Sequence, residues 1–327
     1  MRTGRTALAS GLAGLACTAM LTTLSAGTAA AANAYCGALA GSYDRQQPPQ
    51  YQHVVVLMEE NVSYQQFVAS TQMPFLHQLA GDCGIETDFH AATHPSQPNY
   101  MAATSGEATR VGARSANDNV FHQVQATGRT WKLYAESMPR PCAGGKTGTY
   151  QPGHTPAVWY TDLRSPTDTC AQDQVPLAPA LDGAITADAL PAYTWITPNQ
   201  CHDFHWQSSC AFPRSQRAAQ GDAWLADLLP RLARMPSYEA GGTLVLLTFD
   251  EGGGGAKGVD CTDPAYYGSH PDCHVLAVAV SPYVVPGVED GSDQNLYSLL
   301  GTTEDVLGVP RLGRAEGQPS MRPGLQF

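Results

Sequence analysis

An α/β fold with an open, mostly parallel sheet covered by helices on both faces is predicted from three observations. His53–Met58 (HVVVLM) and Thr243–Phe249 (TLVLLTF) are unbroken apolar, β-branched runs, the pattern of a strand buried on both faces. Between such runs lie amphipathic stretches, of which Gln216–Met235 is the clearest, with Trp224, Leu225, Leu228, Leu229 and Leu232 on one face. The two patterns alternate along the chain, and βαβ crossovers are the economical way to join parallel strands.

The elements follow in order. His53–Met58 ends in Glu59-Glu60-Asn61, which puts a carboxylate and an amide at a strand's C-terminal end. Pro74–Ala80 predicts a helix stopped at Gly81, and Gly84–Phe89 a short strand. Thr93-His94-Pro95-Ser96-Gln97-Pro98-Asn99-Tyr100 predicts a stiff loop, because each proline fixes its own φ and biases the residue before it to extended backbone. A helix is expected to start near Asn99, a good N-cap residue. A hydroxyl just ahead of a helix start meets free N–H groups and the positive end of the helix dipole, which suits a phosphate or a serine alkoxide that attacks one. Asn119–Gln125 reads as a helix and Thr130–Tyr134 as a strand. Pro139–Thr169, rich in Pro, Gly and Thr, reads as a long stapled loop forming a lid or rim. Its Gly144-Gly145-Lys146-Thr147 is no phosphate-binding P-loop, since Arg140 stands where the first glycine belongs and no strand precedes it. Tyr193–Thr197 is a strand leading to Cys201-His202-Asp203-Phe204-His205. Thr243–Phe249 ends in Asp250-Glu251 and then Gly252–Gly255. His274 opens the apolar strand Val275–Val280, and Asp293–Gly308 reads as a helix with a break.

Residues 1–32 carry Arg2 and Arg5, an apolar run from Ala7 to Leu21 and an alanine-rich exit, the layout of a cleavable secretory signal. A secreted protein with one domain over 33–327 is therefore expected. Removing two arginines and no acid changes the formal charge from −11 to −13. Nucleic acid is an unfavourable partner for such a chain, because non-specific binding rests on Lys and Arg. Nine cysteines less Cys17 leave an even set, as suits an exported protein. Spacing alone leaves the connectivity open; sequential pairing, Cys36–Cys83, Cys142–Cys170, Cys201–Cys210 and Cys261–Cys273, is the economical arrangement.

In open α/β sheets ligands bind outside the carboxyl ends of the strands. Glu60-Asn61, Asp203 with His205, and Asp250-Glu251 fall at three such ends, and His274 opens a further strand. Oxygen donors from Glu60, Asn61, Asp250 and Glu251 suit a hard divalent cation, and histidine widens the choice. Zinc, calcium, manganese and iron all stay open, at one or two ions per chain. Each pair by itself could merely cap a helix, but several pairs beside a candidate nucleophile loop point to a metal-assisted site.

HVVVLMEENVSY (53–64), THPSQPNYMAATSG (93–106), ITPNQCHDFH (196–205), LTFDEGG (247–253), HVLAVAVSPYVVPG (274–287) and YSLLGTTEDVLGVP (297–310) together resemble the phosphoesterase family of bacterial and fungal acid phosphatases and phosphatidylcholine-type phospholipases C, within the alkaline phosphatase superfamily. The resemblance implies a doubly wound sheet and phosphoryl transfer through a phosphorylated residue, which by position is Ser96. It implies a metal held by Glu60, Asn61, Ser96, Asp250 and Glu251. A second ion would fall on Asp203, His205 and His274, although one residue separates Asp203 from His205 where the family pattern has three. His274 or His205 is then the proton donor to the leaving group, with His94, Asn99 and His202 near the phosphate. Phosphomonoesters are the leading substrate class. A phospholipase C acting on lipid head groups is the alternative, with transient membrane contact and a rim such as Trp159 and Tyr160. A binding protein that keeps the fold without the chemistry is the rival of another class. A monomer is expected.

Overall fold

The computed structural model describes Met1, Gly4 and residues 35–44, 47–164 and 170–327. The expected secretory signal, residues 1–32, therefore lies outside the described residues apart from Met1 and Gly4. The unit formed by Ala32–Phe327 is built on one sheet.

Its strands are β1 (His53–Glu59), β2 (Gly84–His90), β3 (Trp131–Ala135), β4 (Gln174–Pro176), β5 (Tyr193–Thr197), β6 (Thr243–Phe249), β7 (His274–Val280), β8 (Glu289–Asp290) and β9 (Gln294–Asn295). The order is β4-β3-β5-β1-β6-β7-β2-β8, with β9 paired to β2. All pairings are parallel except those of β7, which runs antiparallel to β6 and β2. The sheet is thus mostly parallel, as the buried runs of β1 and β6 predict. Every residue of β6 is buried, and Val54–Met58 of β1 are essentially inaccessible to solvent.

The register decides the site. Glu59 pairs with Phe249, so the next residues, Glu60 and Asp250, emerge side by side at the C-terminal edge of the two central strands. The Asp250 N–H donates to Glu59 O at 2.9 Å and the Glu60 N–H to Asp203 O at 2.9 Å, which draws the end of β5 into the same edge. Because β7 is reversed, its first residue, His274, also falls on this edge, but opposite His90 of β2.

The helix α1 (Tyr64–Ala69) is capped by a Ser63–Gln66 capping box. The helix α2 (Pro74–Asp82) receives a buried cap from another part of the chain: Asp222 accepts from Phe75 N at 3.0 Å and Leu76 N at 2.8 Å. Asp222 belongs to the long helix Arg217–Ala233, whose Leu225, Leu228, Leu229 and Leu232 are buried as the amphipathic pattern requires. The helix α3 (Ser96–Ser105) is almost wholly buried, and α4 (Val120–Ala126) starts on the predicted Asn119 cap.

Two boundaries differ from expectation. α3 begins at Ser96 rather than Asn99, because Pro98 falls in the first turn, where its missing N–H costs nothing. Asp293–Gly308 is not one broken helix: Gln294–Asn295 pair with β2, and an unbroken helix covers Leu296–Leu307, capped by Asn295 and ended by left-handed Gly308. The cystines are Cys36–Cys83, Cys142–Cys170, Cys201–Cys210 and Cys261–Cys273, in the sequential order. The stapled stretch after Pro139 carries three short 3-10 turns, and residues 165–169 of it lie outside the described residues.

Candidate active site

Ser96, in the first turn of α3, donates from Oγ to Glu60 Oε2 at 2.9 Å. That carboxylate also accepts from Asn61 Nδ2 at 2.7 Å and, on its other oxygen, from Tyr100 OH at 3.0 Å. Asn61 adopts left-handed backbone with φ 57°, a conformation asparagine tolerates, and its N–H then donates to Asp250 Oδ1 at 3.2 Å. Four of the expected residues, Glu60, Asn61, Ser96 and Asp250, therefore share one cluster.

His154 completes it from the stapled loop. Its Nε2 lies 3.2 Å from Glu60 Oε1 and its Nδ1 3.2 Å from Asp203 Oδ2, with the ring stacked parallel to Tyr100 at 5.4 Å. A neutral imidazole has one N–H, so satisfying both contacts needs a proton on one of the two carboxyls or on the ring. Burial holds the ring below its ordinary pKa against the pull of Asp203. Burial, and then the charges of Asp250 and Asp203, push Glu60 well above the ordinary carboxylate range; burial and then Glu251 do the same to Asp250.

Glu251 stands one layer out. Its Oε2 lies 3.0 Å from His94 Nδ1 and accepts from Asn99 Nδ2 at 3.2 Å. His94 Nε2 reaches Asp272 at 2.9 Å. Burial alone would lower the His94 pKa, but Glu251 and then Asp272 raise it on balance. Asn99 Oδ1 accepts from the N–H groups of Ala92 and Thr93, which locks the loop ahead of Ser96. The last residue of the glycine run has its reason here: a Cβ on Gly255 would fall 2.1 Å from His94 Nε2.

His205 borders the cleft above Ser96. Its N–H donates to Asp203 Oδ1 at 2.9 Å, its ring Nδ1 faces Trp206 O at 2.9 Å, and the ring centre is 6.3 Å from that of His154. Phe204 and Trp206 on either side have φ 68° and 73°, costly for large side chains. The cleft holds about 360 Å³ and is walled by Pro95–Gln97, Gln151–His154 and His205.

The structure does not bring every expected residue to this point. His274 stacks on Tyr64 at 4.6 Å and its Nε2 faces Thr87 O at 2.9 Å, two strands from Glu60, because β7 and β2 carry it outward. The triad Asp203, His205 and His274 is thus divided, and His154 occupies the place beside Asp203. His202 turns to Glu136 at 2.8 Å. Tyr160 forms no rim: it is buried and shares a hydrogen bond with Thr104, while Trp159 lines the cleft. Sequence reasoning missed His154 and Tyr100. Tyr100 lay within the Ser96 motif, and His154, in Pro152-Gly153-His154-Thr155, carried no local signal beyond being a histidine in a long loop.

The chain matches the model of the phosphoesterase family over residues 66–310. It belongs to that family. This phosphoesterase is 28% identical over 281 residues to the phosphatidylinositol-3-phosphatase of Mycobacterium tuberculosis, covering 83% of this chain and 82% of that protein. It is 28% identical to an acid phosphatase of Aspergillus fumigatus, covering 78% of this chain but 54% of the longer fungal protein. Its fold matches an alkaline phosphatase superfamily protein of Vibrio parahaemolyticus, with a TM-score of 0.57 at 12% identity over 85% of this chain and 72% of the other. The phosphoesterase is a hydrolase acting on phosphate esters.

The donor set of the phosphoesterase fits the divalent cation that the sequence motifs lead one to expect. Glu60, Asn61, Ser96 and Asp250 converge with oxygen donors, the carboxyls are buried against their own repulsion, and Asp250 Oδ2 is buried without a donor. His94, Cys261 and Cys273 also gather, but both sulfurs are committed to a disulfide, which leaves one ligand and no metal site there.

Proposed function

We propose that the chain is a secreted, metal-dependent acid phosphatase that hydrolyses phosphomonoesters through a phosphoserine at Ser96. The observation that carries this reading is the Ser96 Oγ–Glu60 Oε2 hydrogen bond at 2.9 Å, in the first turn of α3 and among buried carboxyls. The names of the two relatives, a phosphatidylinositol-3-phosphatase and an acid phosphatase, support a monoester substrate.

The phosphoryl group enters the cleft against the N-terminus of α3, where the Ser96 and Gln97 N–H groups lack acceptors within the helix and the dipole favours negative charge. Ser96 Oγ attacks phosphorus as its proton passes to Glu60 Oε2. The bond to the alcohol oxygen breaks, and that oxygen takes a proton from His205 Nε2, the ring being held by its Nδ1–H donating to Trp206 O. In the second half His205 accepts a proton from water, the water oxygen attacks the phosphoserine, phosphate departs, and Glu60 returns the proton to Ser96 Oγ. Tyr100, Asn61 and His154 keep the Glu60 carboxyl in place throughout. A divalent cation held by Glu60, Asn61, Asp250 and Ser96 supplies, when bound, positive charge that lowers the serine pKa and offsets the phosphoryl oxygens.

Parallel rates on p-nitrophenyl phosphate and its choline phosphodiester, each with and without a chelator, test the proposal. Faster, chelator-sensitive monoester hydrolysis is expected. Preference for the diester would favour the phospholipase reading, and no hydrolysis of either would leave a binding protein.

A further inference from the structure

We infer that the phosphoesterase carries a cationic subsite for a second anionic group on its substrate, beside the cleft that holds the scissile phosphate. The inference rests on the reaction proposed at Ser96 and specifies its substrate class.

A second cavity of about 560 Å³ lies against the loop that delivers Ser96, and it shares Pro95 and Val111 with the cleft. Among the described residues no Lys or Arg lines the cleft itself. The neighbouring cavity is lined by Arg110, Lys257 and Arg314, in a chain with only 18 basic residues and a net charge of −11. The one carboxylate among its described lining residues, Asp260, pairs with Arg314 at 3.6 Å. The side chains of Arg110 and Lys257 are exposed and make no ion pair or hydrogen bond among the described residues. His94 reaches the wall, but its ring is turned to Glu251 and Asp272. Two uncommitted cations therefore face one cavity.

Their backbones are pinned to the catalytic loop. The Gly258 N–H, next to Lys257, donates to His94 O at 2.8 Å, and the Cys261 N–H to Ala92 O at 3.1 Å. The Gly112 N–H, just past Arg110, donates to Gln97 Oε1 at 2.8 Å. The Arg314 N–H donates to Gly106 O at 3.0 Å, at the end of α3. With the backbones so placed, binding an anion there orders the two side chains but no loop. The ligand chemistry is a phosphate ester whose leaving group bears a further phosphate. A free sugar bisphosphate supplies that, and so does a lipid head group, whose diester phosphate is the second anion.

Two matched pairs test the subsite and separate the sources: fructose 1,6-bisphosphate against fructose 6-phosphate, and short-chain phosphatidylinositol 3-phosphate against inositol 3-phosphate. The wild-type protein should show a kcat/KM ratio of about tenfold or more in favour of the doubly anionic member of at least one pair, the worth of one charge-assisted hydrogen bond. The pair with the larger ratio identifies the source. The double substitution Arg110→Gln with Lys257→Gln should bring the ratio to within about twofold of one, and Arg110→Lys with Lys257→Arg should retain it, since the charge and not the fold is at issue. Wild-type ratios near one in both pairs, or a ratio untouched by the glutamines, would overturn the subsite. If no substrate is turned over, the reaction at Ser96 fails instead, and calorimetric binding of fructose 1,6-bisphosphate, lost in the double glutamine protein, still reads the subsite.

Discussion

Ser96 and Glu60, 36 positions apart in the chain, meet at 2.9 Å across the edge of the central sheet, the hydroxyl at a helix start and the carboxylate just past the end of β1. Both sit where the backbone is rigid, because α3 is buried along its length and β1 is hydrogen-bonded on both sides. This geometry supports the nucleophile role proposed for the serine.

Ser96→Ala should fold as the wild type does, since one hydroxyl in the first turn of α3 adds little to the core. Its turnover should fall by about three orders of magnitude or more, as nucleophile losses do elsewhere. Wild-type protein quenched in acid during turnover should carry phosphate on the Ser96 peptide by mass spectrometry. Phosphate on a histidine would move the nucleophile to that ring, and a Ser96→Ala rate above about a tenth of wild type with no phosphorylated peptide would make the site a direct water hydrolase.

Asp250→Asn should lose metal and activity together. The side chain is fully buried and Oδ2 has no donor, so a cation is its natural partner. Affinity should fall by more than the roughly 10–100-fold typical of residues that only orient ligands. Metal analysis after dialysis checks this, and full occupancy in the variant would remove Asp250 from the ligand set.

Glu304 offers a stability test remote from the chemistry. Burial raises its pKa from 4.5 to about 8, despite the Leu312 N–H that donates to Oε1 at 3.0 Å. The folded state thus holds a proton that the unfolded chain releases above pH 4.5, and the stabilisation present below that pH is lost as pH rises through about 8. Glu304→Gln keeps the acceptor for Leu312 and removes the titration. Urea unfolding at pH 5 and pH 8.5 should show the variant gaining on the wild type by on the order of a few kcal/mol at the higher pH. Parallel changes in the two proteins would mean that Glu304 ionises freely in the fold.

Thiol titration of denatured, unreduced protein lacking residues 1–32 should read near zero, since all eight remaining cysteines are paired. A reading near two per chain would break one of the four pairs.

The long strands and the acidic groups at their ends were legible in the chain, because a strand buried on both faces is written locally as a continuous β-branched run and its last residue follows directly, whereas the short β4, β8 and β9 carry no such run. Glu60, Asn61 and Asp250 came from that signal, and Ser96 from prolines flanking a hydroxyl. Which of those ends share one site is a matter of strand order and direction, which no local pattern encodes. β7 runs against its neighbours, so His274 lands beside His90 rather than beside Asp203. His154 reaches Asp203 across 49 positions from a loop whose composition only says that it is a loop. Long-range pairings of this kind depend on how the loop packs once the sheet has formed, and only the tertiary structure decides them.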